Sequence, residues 1–341
     1  MELRPLGRTG VRVTPLCLGA MMFGDWGNTD HEESIRIIHH ALDAGINFID
    51  TADVYSAGES EEIVGKALAG GRRDKVILAS KVHGPMGDDP NQRGNSRRWI
   101  VHAVENSLRR LRTDWLDLYQ IHRPAEDTDI EETLSALSDL IHAGKVRYIG
   151  TSTFPASQIV EAQATSREHG FERFVTEQPP YSILVRGIEA DVLPTCRRHG
   201  IGVLPWGPLA SGWLSGRYRK GGELPSSTRA ERLPQRYDMT LPANQLKLEA
   251  ADALGALADE AGMPLPEMAL AWVINHPAVT SAIIGPRTME HLQSHLPALE
   301  RNLEASLLDR IDEIVAPGVN LNPDDGGYLN PALEPAARRR P

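Results

Sequence analysis

The sequence predicts an α/β protein built as a (β/α)8 TIM barrel, and three observations point there. Short apolar runs of strand length alternate with helical patterns along most of the chain. The ends of these runs recur about every 27–41 residues from the second to the seventh, as single strand–helix units would. The open, doubly wound alternative lacks its Gly-rich first turn, because Gly19-Ala-Met-Met-Phe-Gly24 is not GxGxxG and no GxxxxGK[ST] loop exists.

Taken in order, residues 3–6 and 11–14 flank the turn-rich Gly7-Arg-Thr-Gly10 and read as a β-hairpin before the main fold. Candidate strands follow at 16–19, 47–50, 76–81, 116–122, 146–151, 174–178, 202–206 and 281–285. Ile130, Thr133, Leu134, Leu137, Leu140 and Ile141 keep the i, i+3, i+4, i+7 spacing of a one-sided helix, which Ala143-Gly144 ends. Ser96 is placed to cap another helix. The interval after the seventh strand is far longer. It holds residues 211–244, rich in Gly, Pro, Ser and Arg, and then two helical patterns. A loop of that length inside a compact domain is usually functional or mobile, and it reads as a lid. Residues 289–299 and 304–315 read as helices. The C-terminal tail, 317–341, reads as irregular and ends in a solvated Arg338-Arg-Arg340 run. The expectation is one domain spanning 1–341.

A chain of 341 residues with this pattern can bury a large core. The formal net charge of −10 argues against nucleic acid and anionic membrane as general partners, while leaving room for a local phosphate pocket. The two cysteines, Cys17 and Cys196, lie in no CxxC or Cys/His spacing, so neither a disulfide framework nor a metal site is expected. The N-terminus lacks a signal-peptide pattern, and no apolar run approaches the roughly 18–20 residues of a bilayer span. A cytoplasmic protein is expected. Nothing marks an obligate interface, so a monomer is favoured.

Asp50, Lys81 and His122 stand at or just past the ends of three separate apolar runs, and Tyr55 follows Asp50 by five residues. In a barrel those ends converge on the active-site face. Free tyrosine, with a pKa of about 10, holds its proton too tightly to be an efficient acid near neutrality. A lysine ammonium beside it is expected to lower that pKa, a carboxylate to hold the ammonium charged, and an imidazole to orient a substrate oxygen. That makes Tyr55 the acid for carbonyl reduction, Lys81 its tuner, Asp50 the anchor of Lys81 and His122 the orienter. The hydride must come from a cofactor. Taken singly, each residue also has an ordinary reading: a helix cap for Asp50, a surface charge for Lys81, a structural histidine, a packed tyrosine. Met21, Met22, Phe23 and Trp26 are expected at the pocket mouth. Met22 and Trp26 are the substrate-contact candidates, although Trp26 could equally be packed beneath its loop.

With these residues placed, the chain resembles the aldo-keto reductase superfamily over nearly its whole length. The resemblance is carried by Phe48-Ile-Asp-Thr-Ala-Asp-Val-Tyr55, Ala79-Ser-Lys81, Leu116-Asp-Leu-Tyr-Gln-Ile-His122, Gly144-Lys-Val-Arg-Tyr-Ile-Gly-Thr-Ser152, Glu177-Gln178, Trp206-Gly-Pro-Leu-Ala-Ser-Gly212 and Ile284-Gly-Pro-Arg287. It implies a (β/α)8 barrel, a preference for NADPH, and the catalytic tetrad on Asp50, Tyr55, Lys81 and His122. It also implies cofactor contacts: Ser152 and Gln178 to the nicotinamide amide, Trp206 stacked on the ring, and Leu209, Ser211, Gly212 and Leu214 over the pyrophosphate. Arg217 would pair with the phosphates. Gly285 lies in the same motif as Arg287, which would bind the 2′-phosphate. His291 and His295 stand where adenosine-contacting residues are common. They are four apart, but no third ligand suggests a metal. Thr153 and Ser56 depart from the common asparagine and glycine. The loop 83–96 resembles bacterial members and potassium-channel β subunits. The expected function is NADPH-dependent reduction of an aldehyde, ketone or keto-sugar, including a sugar-pathway reductase. The alternative is a cofactor-binding regulatory subunit with little turnover.

Overall fold

Successive side chains of a strand point to opposite faces, so each strand of a barrel offers one row to the interior and one to the surrounding helices. The computed structural model describes residues 2–339 apart from 224, 226, 227 and 329, and only the backbone of 228 and 229. Arg340 of the terminal arginine run lies outside the described residues.

The hairpin is short, β1 (Arg4–Pro5) against β2 (Arg12–Val13). The barrel strands are β3 (Leu16–Gly19), β4 (Phe48–Asp50), β5 (Ile77–Val82), β6 (Leu116–Ile121), β7 (Val146–Ser152), β8 (Thr176–Gln178), β9 (Gly202–Val203) and β10 (Ala282–Ile284). They form one parallel sheet in the order β10-β3-β4-β5-β6-β7-β8-β9. Parallel bridges Val203–Val279 and Trp206–Ile283 join the two ends, and Ile283 N–H donates to Pro205 O at 2.8 Å. The expected strand 202–206 is thus interrupted after Val203. Pro205 has no N–H to give to a ladder.

Helices α1 (His31–Asp43), α2 (Glu59–Ala67), α3 (Arg97–Leu111), α4 (Ile130–His142), α5 (Ala156–His169) and α6 (Val192–His199) connect the strands. Ser96 caps α3 by accepting from Trp99 N–H, as its type and place require. The α4 pattern buries Thr133, Leu134, Leu137 and Leu140. Between β9 and β10 lie α7 (Thr228–Arg232), α8 (Pro242–Glu260) and α9 (Leu265–Ile274), and α10 (Met289–His295) and α11 (Ala305–Ile314) follow. No described helix is long and apolar enough to cross a membrane.

Two apolar layers result. The larger lies between strands and helices. The smaller fills the barrel with Cys17, Phe48, Ala79, Leu118, Leu204 and Ile283, and Leu6 and Val13 of the hairpin join it. Asp50 is two residues on from Phe48, Lys81 from Ala79, and Gln120 and His122 are two and four from Leu118. The same period that packs the interior therefore points these polar groups inward at the strand ends.

The tail is less free than its composition suggests. Asp325 pairs with Lys247 at 2.9 Å, and Gly187 N–H donates to Asn320 at 2.7 Å. Gly327, at φ 76°, comes so close to Thr153, Trp206 and Pro180 that a Cβ there would lie 3.0–3.3 Å from each. Glycine alone suits that conformation and that gap.

Candidate active site

The structure brings Asp50, Tyr55, Lys81 and His122 together. Lys81 is fully buried, and its ammonium donates to Asp50 Oδ1 at 2.5 Å, Thr51 O at 2.9 Å and the Tyr55 hydroxyl at 3.1 Å. Three acceptors match its three N–H bonds. Asp50 is further held through Oδ2 by the side-chain amides of Gln120 at 3.0 Å and Gln178 at 2.9 Å. The His122 ring meets the Tyr55 ring edge-on at 5.6 Å, and Trp26 lies 5.8 Å from Tyr55 on another side.

Burial changes the expected electrostatics. It raises the pKa of Tyr55, Asp50 adds to the rise, and Lys81 offsets only part. Lys81 acts in the expected direction, but desolvation of the phenolate wins, so the phenol is held as a proton donor. Burial also works against the Lys81 ammonium, yet Asp50 and Tyr55 outweigh it and its pKa is raised. His122 is held well below its ordinary value by burial, then by Lys81 and Arg123. It is therefore a neutral imidazole at pH 7, able to donate from one nitrogen without carrying charge.

The remaining expected residues fall into three groups. Ser152 and Gln178 end neighbouring strands, and Ser152 Oγ donates to Gln178 O at 2.9 Å. Thr153 next to them sits at φ 63°, a strained conformation for a β-branched residue. Trp206 presents a half-buried ring whose buried Nε1 has no partner among the described residues. Beyond it, Ala210, Ser211 and Gly212 run at φ 48°, 59° and 97°, and a Cβ on Gly212 would meet nothing within 4 Å. Open space beside this left-handed backbone lets a phosphate approach the turn closely. Leu209 is half-buried there, while Leu214 is fully buried in the core.

The third group gathers around α10. Gly285 is exposed at the end of β10. His291 is lowered in pKa by partial burial, then by Arg287 and Arg217. Two guanidinium groups from separate loops thus act electrostatically on His291. His295 is buried, its Nδ1 has no partner among the described residues, and burial followed by His291 lowers its pKa to about 4. These features fit a phosphorylated dinucleotide: a flat ring wall, a turn open to phosphate, a cationic cluster and an orphaned imidazole nitrogen.

Phe23, expected at the mouth, is instead fully buried in the outer core. Met22 is buried and Met21 half-exposed. Trp26 is half-exposed, and Arg232 of α7 reaches back over its ring at 4.3 Å. The segment expected as a lid therefore touches the loop after β3. Its base is fixed by Tyr237, which donates to Ser211 O at 2.8 Å and stacks on Trp213 at 5.8 Å.

Sequence reasoning missed Gln120, Arg123 and Glu177. Gln120 could have been found from the strand period alone, being two residues before His122. Arg123 donates through Nη1 to His122 O at 2.6 Å, Thr153 Oγ1 at 3.2 Å and Ser152 Oγ at 3.4 Å. Asn95 of the long loop after β5 binds Arg123 O at 3.0 Å and His83 at 2.9 Å. Glu177 is fully buried, opposite Thr151 in the strand register. Burial raises its carboxyl to about 7, against the opposing pull of the Thr151 hydroxyl at 2.5 Å, the Phe154 N–H at 3.2 Å and Arg123.

The folded pKa of Glu177 lies above its unfolded value of 4.5, so its contribution to stability is full below that value and is lost as pH rises through about 7. Urea unfolding of wild type is expected to lose on the order of 2–3 kcal/mol more between about pH 5 and 8 than Glu177→Gln does. Equal pH slopes for the two proteins would refute the assignment.

The aldo/keto reductase family model matches residues 15–316. The uncharacterized oxidoreductase YrpG of Bacillus subtilis is 42% identical over 92% of this chain and 96% of its own length. A probable voltage-gated potassium channel subunit beta of Arabidopsis thaliana is 35% identical over 92% of this chain and 97% of its own. Versiconal hemiacetal acetate reductase of Aspergillus parasiticus is 33% identical over 99% of this chain and 98% of its own. The barrel and its strand-end site define an NAD(P)H-dependent oxidoreductase acting on small carbonyl compounds. The chain belongs to the aldo/keto reductase family.

Proposed function

We propose that this protein reduces an aldehyde, ketone or keto-sugar to the alcohol with NADPH, taking the proton from Tyr55. The observation that carries it is the buried Asp50–Lys81–Tyr55 chain, with bonds of 2.5 and 3.1 Å, ending beside His122. When bound, the cofactor supplies a hydride. The chain does the rest. Ser152, Gln178 and Trp206 hold and flank the nicotinamide. The open turn at Ser211–Gly212 receives the pyrophosphate, and Arg217, Arg287, His291 and His295 receive the phosphorylated adenosine end.

A substrate carbonyl oxygen between Tyr55 and His122 would accept two hydrogen bonds. Neutral His122 positions it without adding charge. Tyr55 then gives its proton to the oxygen as negative charge develops there, since an alkoxide is a stronger base than a phenolate. Lys81 stabilises the phenolate left behind, and Asp50 keeps Lys81 in place.

NADPH rather than NADH is supported by the positive field that Arg287 and Arg217 exert at His291, which suits a 2′-phosphate dianion. Steady-state oxidation of both cofactors against a panel of aldehydes and ketones tests both points. Turnover with NADPH is expected, and Arg287→Ala should raise the KM for NADPH about tenfold or more while leaving that for NADH nearly unchanged. No turnover on any carbonyl, with tight cofactor binding, would favour a regulatory subunit instead. Equal effects of Arg287→Ala on both cofactors would remove the 2′-phosphate assignment.

A further inference from the structure

The local charge at the pocket runs against that of the chain. The formal net charge is −10, yet two guanidinium groups there have no carboxylate partner among the described residues. Arg123 spends Nη1 on a carbonyl and two hydroxyls, which leaves its Nε–Nη2 edge without a described partner. Its guanidinium faces the Trp206 ring at 5.9 Å and acts electrostatically on the Tyr55 phenol. Arg232 lies on Trp26, itself 5.8 Å from Tyr55. The nearby carboxylates are committed elsewhere. Asp50 holds Lys81 at 2.5 Å, and Asp325 holds Lys247 at 2.9 Å and faces Arg236 at 3.8 Å. Glu177 is turned to the Thr151 hydroxyl and the Phe154 N–H. Removing a guanidinium from water without a hydrogen-bonded carboxylate is costly: burial lowers the pKa of Arg123, and Tyr55 and Glu177, acting through space, offset only part of that.

We infer that the carbonyl substrate carries a carboxylate, bound side-on by the Nε–Nη2 edge of Arg123, with Arg232 as a second positive contact at the mouth. This deepens the reductase reading and rests on it. The geometry of a planar guanidinium edge matches a carboxylate with two parallel hydrogen bonds. Arg123 borders Tyr55 and His122, so a single small molecule can place its carbonyl on the phenol and its carboxylate on the guanidinium. The hydroxyls of Ser152 and Thr153 and the carbonyl of His122 fix Arg123 beforehand, so little ordering is required when the substrate arrives. Arg123 is in this account a specificity-determining residue, acting on the substrate at a distance from the reacting atoms.

The test compares 4-carboxybenzaldehyde with methyl 4-formylbenzoate, its neutral ester, under NADPH. Wild type should favour the acid in kcat/KM by about tenfold or more. Arg123→Gln should cut the acid-to-ester ratio at least about tenfold, and Arg232→Ala about threefold. A wild-type ratio near one, or a ratio unchanged by Arg123→Gln while both rates fall, would overturn the inference. So would a preference confined to glyceraldehyde 3-phosphate over glyceraldehyde, which would mark a phosphate site. Binding of benzoate and benzamide to the enzyme saturated with NADP+, followed by fluorescence, reads the same contact without turnover. A chain that reduced neither aldehyde, yet bound benzoate about tenfold more weakly as Arg123→Gln, would end the reductase reading and keep the anion site.

Discussion

Tyr55→Phe is expected to lower kcat by about 10²–10⁴-fold while the Kd for NADPH stays within about threefold. The substitution removes one hydroxyl and leaves the ring, with its neighbours His122 at 5.6 Å, Trp26 at 5.8 Å and the Lys81 ammonium at 4.8 Å from its centroid. Lys81 keeps Asp50 and Thr51 O as acceptors, so the buried ammonium is not stranded. The fold should therefore survive, and the loss should fall on proton transfer. Steady-state NADPH oxidation and a fluorescence titration of the cofactor separate the two effects. Turnover close to wild type would sink Tyr55 as the donor. A large loss of cofactor affinity would mean that the phenol holds the pocket together.

Lys81→Met should damage both stability and catalysis. Lys81 and Asp50 are 0% and 2% exposed, so removing the ammonium strands a buried carboxylate with only the Gln120 and Gln178 amides for support. Breaking such a pair costs about 3–5 kcal/mol. Turnover should fall as well, because Lys81 is the cation that offsets burial at Tyr55. In the double variant Lys81→Met/Asp50→Asn, the stability loss should be smaller than the sum of the two single losses, since the stranded charge is gone. Denaturant unfolding measures this directly. Additive losses would show that the two groups do not act as a pair.

The sequence carried the barrel because its signals are local and repeated. The alternation that buries Phe48, Ala79 and Leu118 also aims Asp50, Lys81 and His122 at one end, and each strand run declares it independently. Boundaries were less legible where a local rule competed, as at Pro205, whose missing N–H interrupts the expected seventh strand. Gln120 follows the same period, two residues before His122. Arg123 carried no signal of its own, since a charged residue after a strand is ordinary until its neighbours are known.

By itself, then, the sequence determined the barrel, its order of strands and helices, and which four side chains gather past the strand ends. Those follow from period, spacing and caps, which are properties of neighbouring residues. Only the tertiary structure decided that Phe23 is core, that Gly327 closes on Trp206, that Arg232 reaches Trp26, and that burial outweighs Lys81 at the Tyr55 phenol. The physical reason is that desolvation and charge act through space. Both depend on which distant segments converge on a point, and no window of sequence contains that sum.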